Sequence, residues 1–399
     1  MAGEASGDVL GARLILALRD RRPDLHFAGI GGPGMAQAGL DSLFPMRDLA
    51  FMGLAEILPR LRSLNRRLTE AVADIEARRP DLVVTIDSPG FALRLLRRIK
   101  PLGLKRIHYV GPQVWAWREH RVRDYPGLWD RLLCLLPFEV DFFARHGLPA
   151  VFVGHPVLQS GADQGNAARF RARHGLAADA PILVLMPGSR RTEAPRLMPV
   201  FGRTIALLRA RFPDLVPVIP SSPAVAEIVF HHASRWTVQP LIVTDIEDKH
   251  DAYAASSAAL TKSGTSTLEL ALAGVPMAVT YRVNPISAAL ARRLIRIPHV
   301  AMVNLLAGRE VVPELLQQDC VADKLAAVVS RLLTDPEAAA AQRAAFGAVI
   351  ASLQAPHGTP ADAAARAVLD LLDDSPISPI NDAGPPRGPL LQGRVPTSA

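Results

Sequence analysis

A chain of 399 residues with 49% apolar side chains can form two ordinary domains with a core each, which excludes a small scaffold held by disulfides. Its net charge of +7 favours a polyanionic neighbour, whether nucleic acid, an anionic membrane surface or a phosphorylated substrate. The cysteines, Cys134 and Cys320, each stand alone in an apolar stretch, so no metal cluster or disulfide framework is expected and a reducing cytoplasm is the natural compartment.

The chain opens on Met1-Ala2-Gly3-Glu4-Ala5-Ser6-Gly7-Asp8, a glycine-bearing turn into a helix over Val9–Arg19. The strand that ordinarily leads into such a turn does not precede it. A Rossmann-like first half lacking its first strand is therefore expected, through a start codon set too far downstream or a natural truncation. Thereafter short aliphatic or β-branched runs alternate with longer amphipathic ones, the pattern of parallel sheets with crossover helices, and the fold class is α/β. Strands are predicted at His26–Ile30, Asp81–Asp87, Arg106–Val110, Arg131–Leu135 and Val151–Gly154, then at Ile182–Met186, Leu215–Ile219, Leu241–Thr244, Ala258–Leu260 and Met277–Tyr281. The polar stretch Gln159–Asn166 suits a boundary between two sheets. The expected division is 1–160, 167–345, C-terminal helices over 346–373 that pack back on the body, and a tail over 374–399. That tail is rich in Pro, Gly and Ser and is expected to be disordered. No apolar run reaches the roughly 18 residues that span a bilayer, and no leader pairs a basic start with an apolar middle, so the protein is expected to be soluble or peripheral.

Five segments carry candidate chemistry. Gly3–Asp8 joins small residues to a helix N-terminus that attracts anions or hydroxyls; an ordinary turn capped by Ser6 or Asp8 is the alternative. Asp87 stands at the carboxyl end of a buried strand, where open α/β sheets build ligand crevices, and is a candidate general base or else a helix cap. The loop from His108 to Arg118 holds two of the four tryptophans, Trp115 and Trp117, which can stack on a sugar or anchor a core. Pro187-Gly188-Ser189-Arg190 follows a strand. Gly188 and Ser189 can offer backbone N–H groups and Arg190 can neutralise a diphosphate leaving group, a surface arginine being the plain alternative. Lys262–Glu269 is a hydroxylated turn opening a helix, able to take phosphates at Ser263, Gly264 and Thr265 and a ribose at Glu269. His231, His232 and His250 show no metal-ligand spacing, and Asp245–Asp251 reads as a solvated acidic loop. No metal and no cofactor are expected.

Together AGEASGD, IDSPGF, IHYVGPQVWAWR, LPFE, VGHP, LMPGSR, SGTSTLELAL and NLLAGREVVPELLQ stand in the order seen in the lipid-A-disaccharide synthase family, which the chain resembles from Ala2 to about Leu372. The resemblance implies a GT-B fold, two Rossmann-like domains facing across a cleft. It also implies inverting transfer of 2,3-diacylglucosamine from UDP to 2,3-diacylglucosamine 1-phosphate, giving the β-1,6-linked disaccharide 1-phosphate and UDP. Asp87 matches the family's catalytic aspartate, with Glu4 a second candidate base. Arg190 matches the donor-site arginine, Glu269 the ribose-binding glutamate, and Asn304, Gly308, Arg309 and Glu310 a block near the cleft. Ser6, Gly7, Asp8, Pro89, Gln113 and Trp115 are the expected acceptor contacts. Where the family has Asp and Asn, this chain carries Gly90 and Ala92, losing a carboxylate and an amide near the acceptor.

Because both substrates are acylated, an anionic membrane surface is an expected partner, on the inner face of the bacterial cytoplasmic membrane. The stretch Leu54–Leu68 interleaves apolar residues with Arg60, Arg62, Arg66 and Arg67, as an interfacial helix does; a half-buried surface helix is the alternative. A homodimer stays open, and nucleic acid is not expected because no reader motif accompanies the scattered arginines. The competing readings are an enzyme like UDP-N-acetylglucosamine epimerase and a non-catalytic membrane-associated binder of UDP-sugars.

Overall fold

The structure, a computed structural model, describes residues 1–49, 54–284 and 297–373, without the side chains of 54–61. It divides into two compact units, Met1–Pro156 together with 353–373, and Val157–Ser352. The stretch expected to form C-terminal helices is thus shared between them. The helix Pro336–Ser352 completes the second unit, while the helix Pro360–Leu372 packs on the first. The tail expected to be disordered lies outside the described residues.

The first unit carries β1 (Ala28–Gly29), β2 (Asp41–Ser42), β3 (Leu82–Ile86), β4 (Lys105–Tyr109), β5 (Arg131–Cys134) and β6 (Ala150–Phe152). Strands β3 to β6 form a parallel sheet in that order, and β1 pairs with β2. Between the two groups stand Met1 and Ala2. Ala2 bridges Ile86 in parallel and its N–H donates to Ile30 O (2.8 Å), while Ile86 N–H donates to Met1 O (2.9 Å). Beyond β3 the sheet is continued by these two residues. The order β2, β1, Ala2, β3, β4 then reverses direction between Ala2 and β3, which makes that point a topological switch.

The helices of this unit begin with α1 (Ala5–Arg21), α2 (Pro33–Gln37), α3 (Leu54–Arg78), α4 (Pro89–Ile99), α5 (Val114–Trp117) and α6 (Pro137–Ala144). Leu10, Leu14 and Leu18 recur at helical spacing on α1 and pack into one core with Ile86, Ile107 and Tyr109. The Pro360–Leu372 helix joins this core through Ala361, Ala364, Ala365 and Val368, a stripe whose small side chains let it lie close to α1.

The second unit contains β7 (Ile182–Met186), β8 (Val216–Pro220), β9 (Leu241–Val243), β10 (Ala258–Lys262), β11 (Met277–Tyr281) and β12 (Glu314–Leu316). All run parallel in the order β12-β11-β10-β7-β8-β9, so the switch point falls between β7 and β10. Its helices include α7 (Ala167–His174), α8 (Ala194–Arg211), α9 (Ala226–Ala233), α10 (Ile246–Ala255) and α11 (Ser266–Leu272). The acidic run Asp245–Asp251 is no solvated loop. Asp245 caps α10, accepting from Glu247 N and Asp248 N, and Asp251 is fully buried in an ion pair with Arg169. Among the described residues no helix is long and apolar enough to cross a membrane.

Candidate functional site

Each switch point gathers a set of the residues singled out above. In the second unit, β7 ends in Pro187–Arg190 and the neighbouring β10 ends in Lys262–Thr265. Gly188 has φ +105°, and a β-carbon there would meet Glu193 Oε2 at 2.6 Å, so only glycine lets the Glu193 carboxylate lie against this loop. Glu193 Oε1 in turn lies 3.0 Å from both Arg190 Nη1 and Lys262 Nζ, tying the two strand ends together. Ser189, Arg190 and Thr265 are exposed. Glu269, in the first turn of α11, pairs with Lys249 Nζ (2.7 Å) and accepts from Tyr253 Oη (3.2 Å). The turn is held from behind by Ser263 Oγ, which donates to Val300 O (2.7 Å).

In the first unit the loops after Ala2 and β3 are in contact: a β-carbon on Gly3 would come within 2.6 Å of Ser88 Oγ, which is buried and has no hydrogen-bond partner. Glu4 and Asp87 flank that contact in sequence. Asp87 and Ser88 both have left-handed backbones (φ 51° and 45°), and so does Val110 (φ 81°) at the end of adjacent β4. Such conformations cost about 1–3 kcal/mol each and persist where surrounding bonds over-determine them. Here Asp87 N–H donates to Tyr109 O and Val110 N–H to Leu133 O (2.9 Å each). Backbone strain of this kind clusters at functional sites, which makes the carboxyl ends of these two neighbouring strands the candidate site of the first unit.

Several expected ligand contacts prove to be internal supports. Asp8 is buried and accepts from the N–H groups of Gly32 (2.7 Å), Gly34 (2.8 Å) and Met35 (3.0 Å), fixing the turn into α2. Gly7 packs directly against Ala2 and Ile86. Trp115 is 8% exposed, its Nε1–H donating to Glu139 Oε1 (3.0 Å) and its ring standing edge-on to Phe138. The exposed indole of that loop is Trp117, over which the Arg118 guanidinium stacks. Asn304 is fully buried; it donates to Val312 O and Glu314 Oε1 and accepts from Val311 N and Val312 N. That leaves no free donor or acceptor of the amide for a sugar nucleotide. Ala92 is buried in α4, so a longer side chain there would face the core, whereas a β-carbon on Gly90 would meet nothing within 4 Å. Ser6, Pro89, Gln113, Gly308, Arg309 and Glu310 lie at the surface.

The family model described as lipid-A-disaccharide synthetase matches residues 1–368. The chain belongs to the lipid-A-disaccharide synthase family. A curated relative of that name from Gluconobacter oxydans is 65% identical over 378 residues, covering 95% of this chain and 91% of its own. Among solved structures, UDP-GlcNAc 2-epimerase from Neisseria meningitidis, bound to UDP-GlcNAc, superposes with a TM-score of 0.61 at 14% identity, covering 94% of this chain and 98% of its own. The calicheamicin glycosyltransferase gives 0.57 at 18%, with the same coverage. These two likenesses establish the fold, which is GT-B.

Within this member of the lipid-A-disaccharide synthase family, four polar residues of the switch points had no assigned role in the sequence: Glu193, Lys249, Tyr253 and Lys262. Glu193 meets Arg190 only three residues away, but Lys249, Tyr253 and Lys262 find their partners 16 to 69 residues off, across different elements of the sheet and its helices. Glu139 is another. It is 2% exposed and burial pushes its carboxyl up to about 7, while Trp115 Nε1–H and Leu136 N–H hold it in place. Its signal was legible: Leu-Pro-Phe-Glu puts proline at the first helical position of α6 and glutamate at the third, from which its carboxylate accepts from the Leu136 N–H, the glutamate half of a capping box.

Proposed function

We propose that this chain joins UDP-2,3-diacylglucosamine to 2,3-diacylglucosamine 1-phosphate with inversion, releasing UDP and the lipid A disaccharide 1-phosphate. The observation that carries this reading is the family match over residues 1–368. Asp87 is the base that takes the proton of the acceptor 6-hydroxyl as its oxygen attacks the anomeric carbon, with Glu4 as the alternative carboxylate. The donor's bond to UDP breaks in the same step. Its diphosphate charge is met by Arg190 and by the backbone of Gly188 and Ser189, electrostatic stabilisation that needs no proton donor. Glu269 takes the ribose, and Ser263, Gly264 and Thr265 line the same strand end. Ser6, Pro89, Gln113 and Trp117 are the acceptor-side surface, and Gly308, Arg309 and Glu310 a further donor-side loop.

The test is a transfer assay with both acylated substrates, reading disaccharide and UDP. UDP-N-acetylglucosamine supplied alone separates the epimerase-like alternative, and UDP binding without transfer separates the non-catalytic one. Disaccharide formation is expected; its absence in a folded protein that binds UDP overturns the reading. Contact with an anionic cytoplasmic membrane face belongs to the same proposal. On α3, Leu64, Leu68, Ala71 and Ile75 are buried while Arg62 and Arg66 are exposed. Arg67 is engaged internally by Asp48, Glu70 and the Phe44 ring, so Arg62 and Arg66 carry the electrostatic part, and the Arg60 side chain lies outside the described residues. Acidic substitution of Arg62 and Arg66 is expected to weaken binding to anionic vesicles. A homodimer is likewise proposed and is checked by the mass in solution.

A further inference from the structure

Glu193 is an anion already lodged where two cations of the second unit converge. Its side chain is 10% exposed, its Oε1 is shared by Arg190 and Lys262, and its Oε2 lies against the backbone of Gly188. Lys262 is no ordinary surface lysine either. Its side chain is 14% exposed, it ends β10 at the switch point, and its ammonium sits 5.3 Å from the Tyr281 ring centroid. A lysine so enclosed needs a counter-charge, because an unpaired buried ammonium is strongly unfavourable. One carboxylate oxygen serving two cations from two different loops, however, leaves the cluster with a net positive charge. The site is therefore paired enough to fold yet still attractive to a second, larger anion.

We propose that Lys262 is a direct ligand of the donor's diphosphate and that Glu193 is its internal placeholder, holding Lys262 and Arg190 in position until the diphosphate takes them over. This deepens the functional reading above and rests on it. Nothing covalent changes: the carboxylate gives up two ion pairs and the diphosphate gains them. Two consequences have opposite signs. Removing the lysine charge removes a charge-assisted bond to the ligand. Removing the glutamate charge removes a competitor that, once displaced, also repels the incoming phosphates.

The experiment is calorimetric titration of the full-length protein with UDP and, separately, with uridine, which lacks phosphates. Lys262→Ala is expected to weaken UDP about tenfold, the scale of one hydrogen bond to a charged group, and to leave uridine within about twofold. Lys262→Arg, which keeps the charge, is expected to retain most of the UDP affinity. Glu193→Gln keeps the shape and is expected to bind UDP several-fold more tightly. Unchanged UDP affinity in Lys262→Ala overturns the proposal. So does an equal loss for UDP and uridine, which identifies Lys262 as a support of the fold. Weaker UDP binding by a Glu193→Gln protein that melts as the wild type does overturns the placeholder. Failure of the wild type itself to bind UDP is distinguishable from all of these, and overturns the functional reading beneath.

Discussion

The two switch points occupy equivalent positions in two Rossmann-like sheets, yet they are built from opposite materials. The first concentrates carboxylates and backbone strain: Glu4, Asp87 and left-handed Asp87, Ser88 and Val110, with a buried Ser88 hydroxyl lacking a partner. The second concentrates cations whose charge is provisionally satisfied, Arg190 and Lys262 by Glu193 and Lys249 by Glu269. Carboxylates suit removal of a proton from a hydroxyl; paired cations suit reception of a phosphorylated leaving group. On the proposed reading, the same topology serves two halves of one reaction because the side chains at the strand ends differ, not because the sheets do.

The sharpest way to break this comparison is to neutralise each side in turn. Asp87→Asn is expected to cost about 10²–10⁴ in transfer rate, the usual loss of a positioned base, with UDP affinity unchanged. Arg190→Ala is expected to cost about 10²–10³, the scale of one electrostatic donor, and to weaken UDP as well. Steady-state transfer and UDP titration on both variants check the pair. If Asp87→Asn weakened UDP, or Arg190→Ala left it unchanged, the division of labour would be lost.

Much of the scaffold could be read before any coordinates, and the reason is visible in the comparison. Parallel strands covered on both faces are short runs rich in aliphatic and β-branched residues, so β3, β7 and β11 announce themselves, β4 and β5 do so through Ile107–Tyr109 and Leu132–Cys134, and the Pro360–Leu372 helix shows its amphipathic period. The short edge strands β2 and β12 do not: two or three residues bearing Asp41 or Glu314 carry no periodic signal. The strand-end positions of Asp87 and Arg190 were legible because topology alone places them at the carboxyl ends of the strands. What each neighbouring polar group does was not. Asp8 finds its donors 24 to 27 residues on, and Asn304 spends its whole amide on the loop to β12, so both imitate ligand contacts in the sequence while serving the fold. Trp115 and Trp117 are two residues apart, and only burial separates them.

Supports of the first switch point should therefore fail in stability rather than chemistry. Asp8→Ala leaves three backbone N–H groups of the α2 turn without their carboxylate and is expected to destabilise by about 3–4 kcal/mol, measured by urea unfolding. A pH test isolates Glu139. Its folded carboxyl titrates at about 7, above the ordinary 4.5, because burial penalises the charge. The native state therefore holds that proton more tightly than the unfolded chain. The resulting stability is full below about 4.5 and is lost as pH rises through 7, of which about 2–3 kcal/mol falls between pH 5 and pH 8. Comparing unfolding at pH 5 and pH 8, the wild type is expected to lose that much more than Glu139→Gln. Equal losses would mean that Glu139 is ionised throughout.

The smallest expected effect probes what the first switch point lacks. Gly90 is the second residue of α4, and a β-carbon there would meet nothing within 4 Å, so Gly90→Asp adds a carboxylate at an unobstructed, exposed position. Two terms favour it: relief of glycine's unfolded-state freedom within a helix, and a negative charge near the helix N-terminus. Against them stands repulsion from Asp87, three residues back at the same strand end, which the exposure of Gly90 screens. The net is a stabilisation of about 1 kcal/mol, read as a raised midpoint in thermal unfolding. The more informative reading is kinetic. If carboxylates on this side serve the acceptor, Gly90→Asp shifts the acceptor KM and leaves UDP affinity untouched. A change in UDP affinity with no change for the acceptor would reverse the assignment of the two switch points.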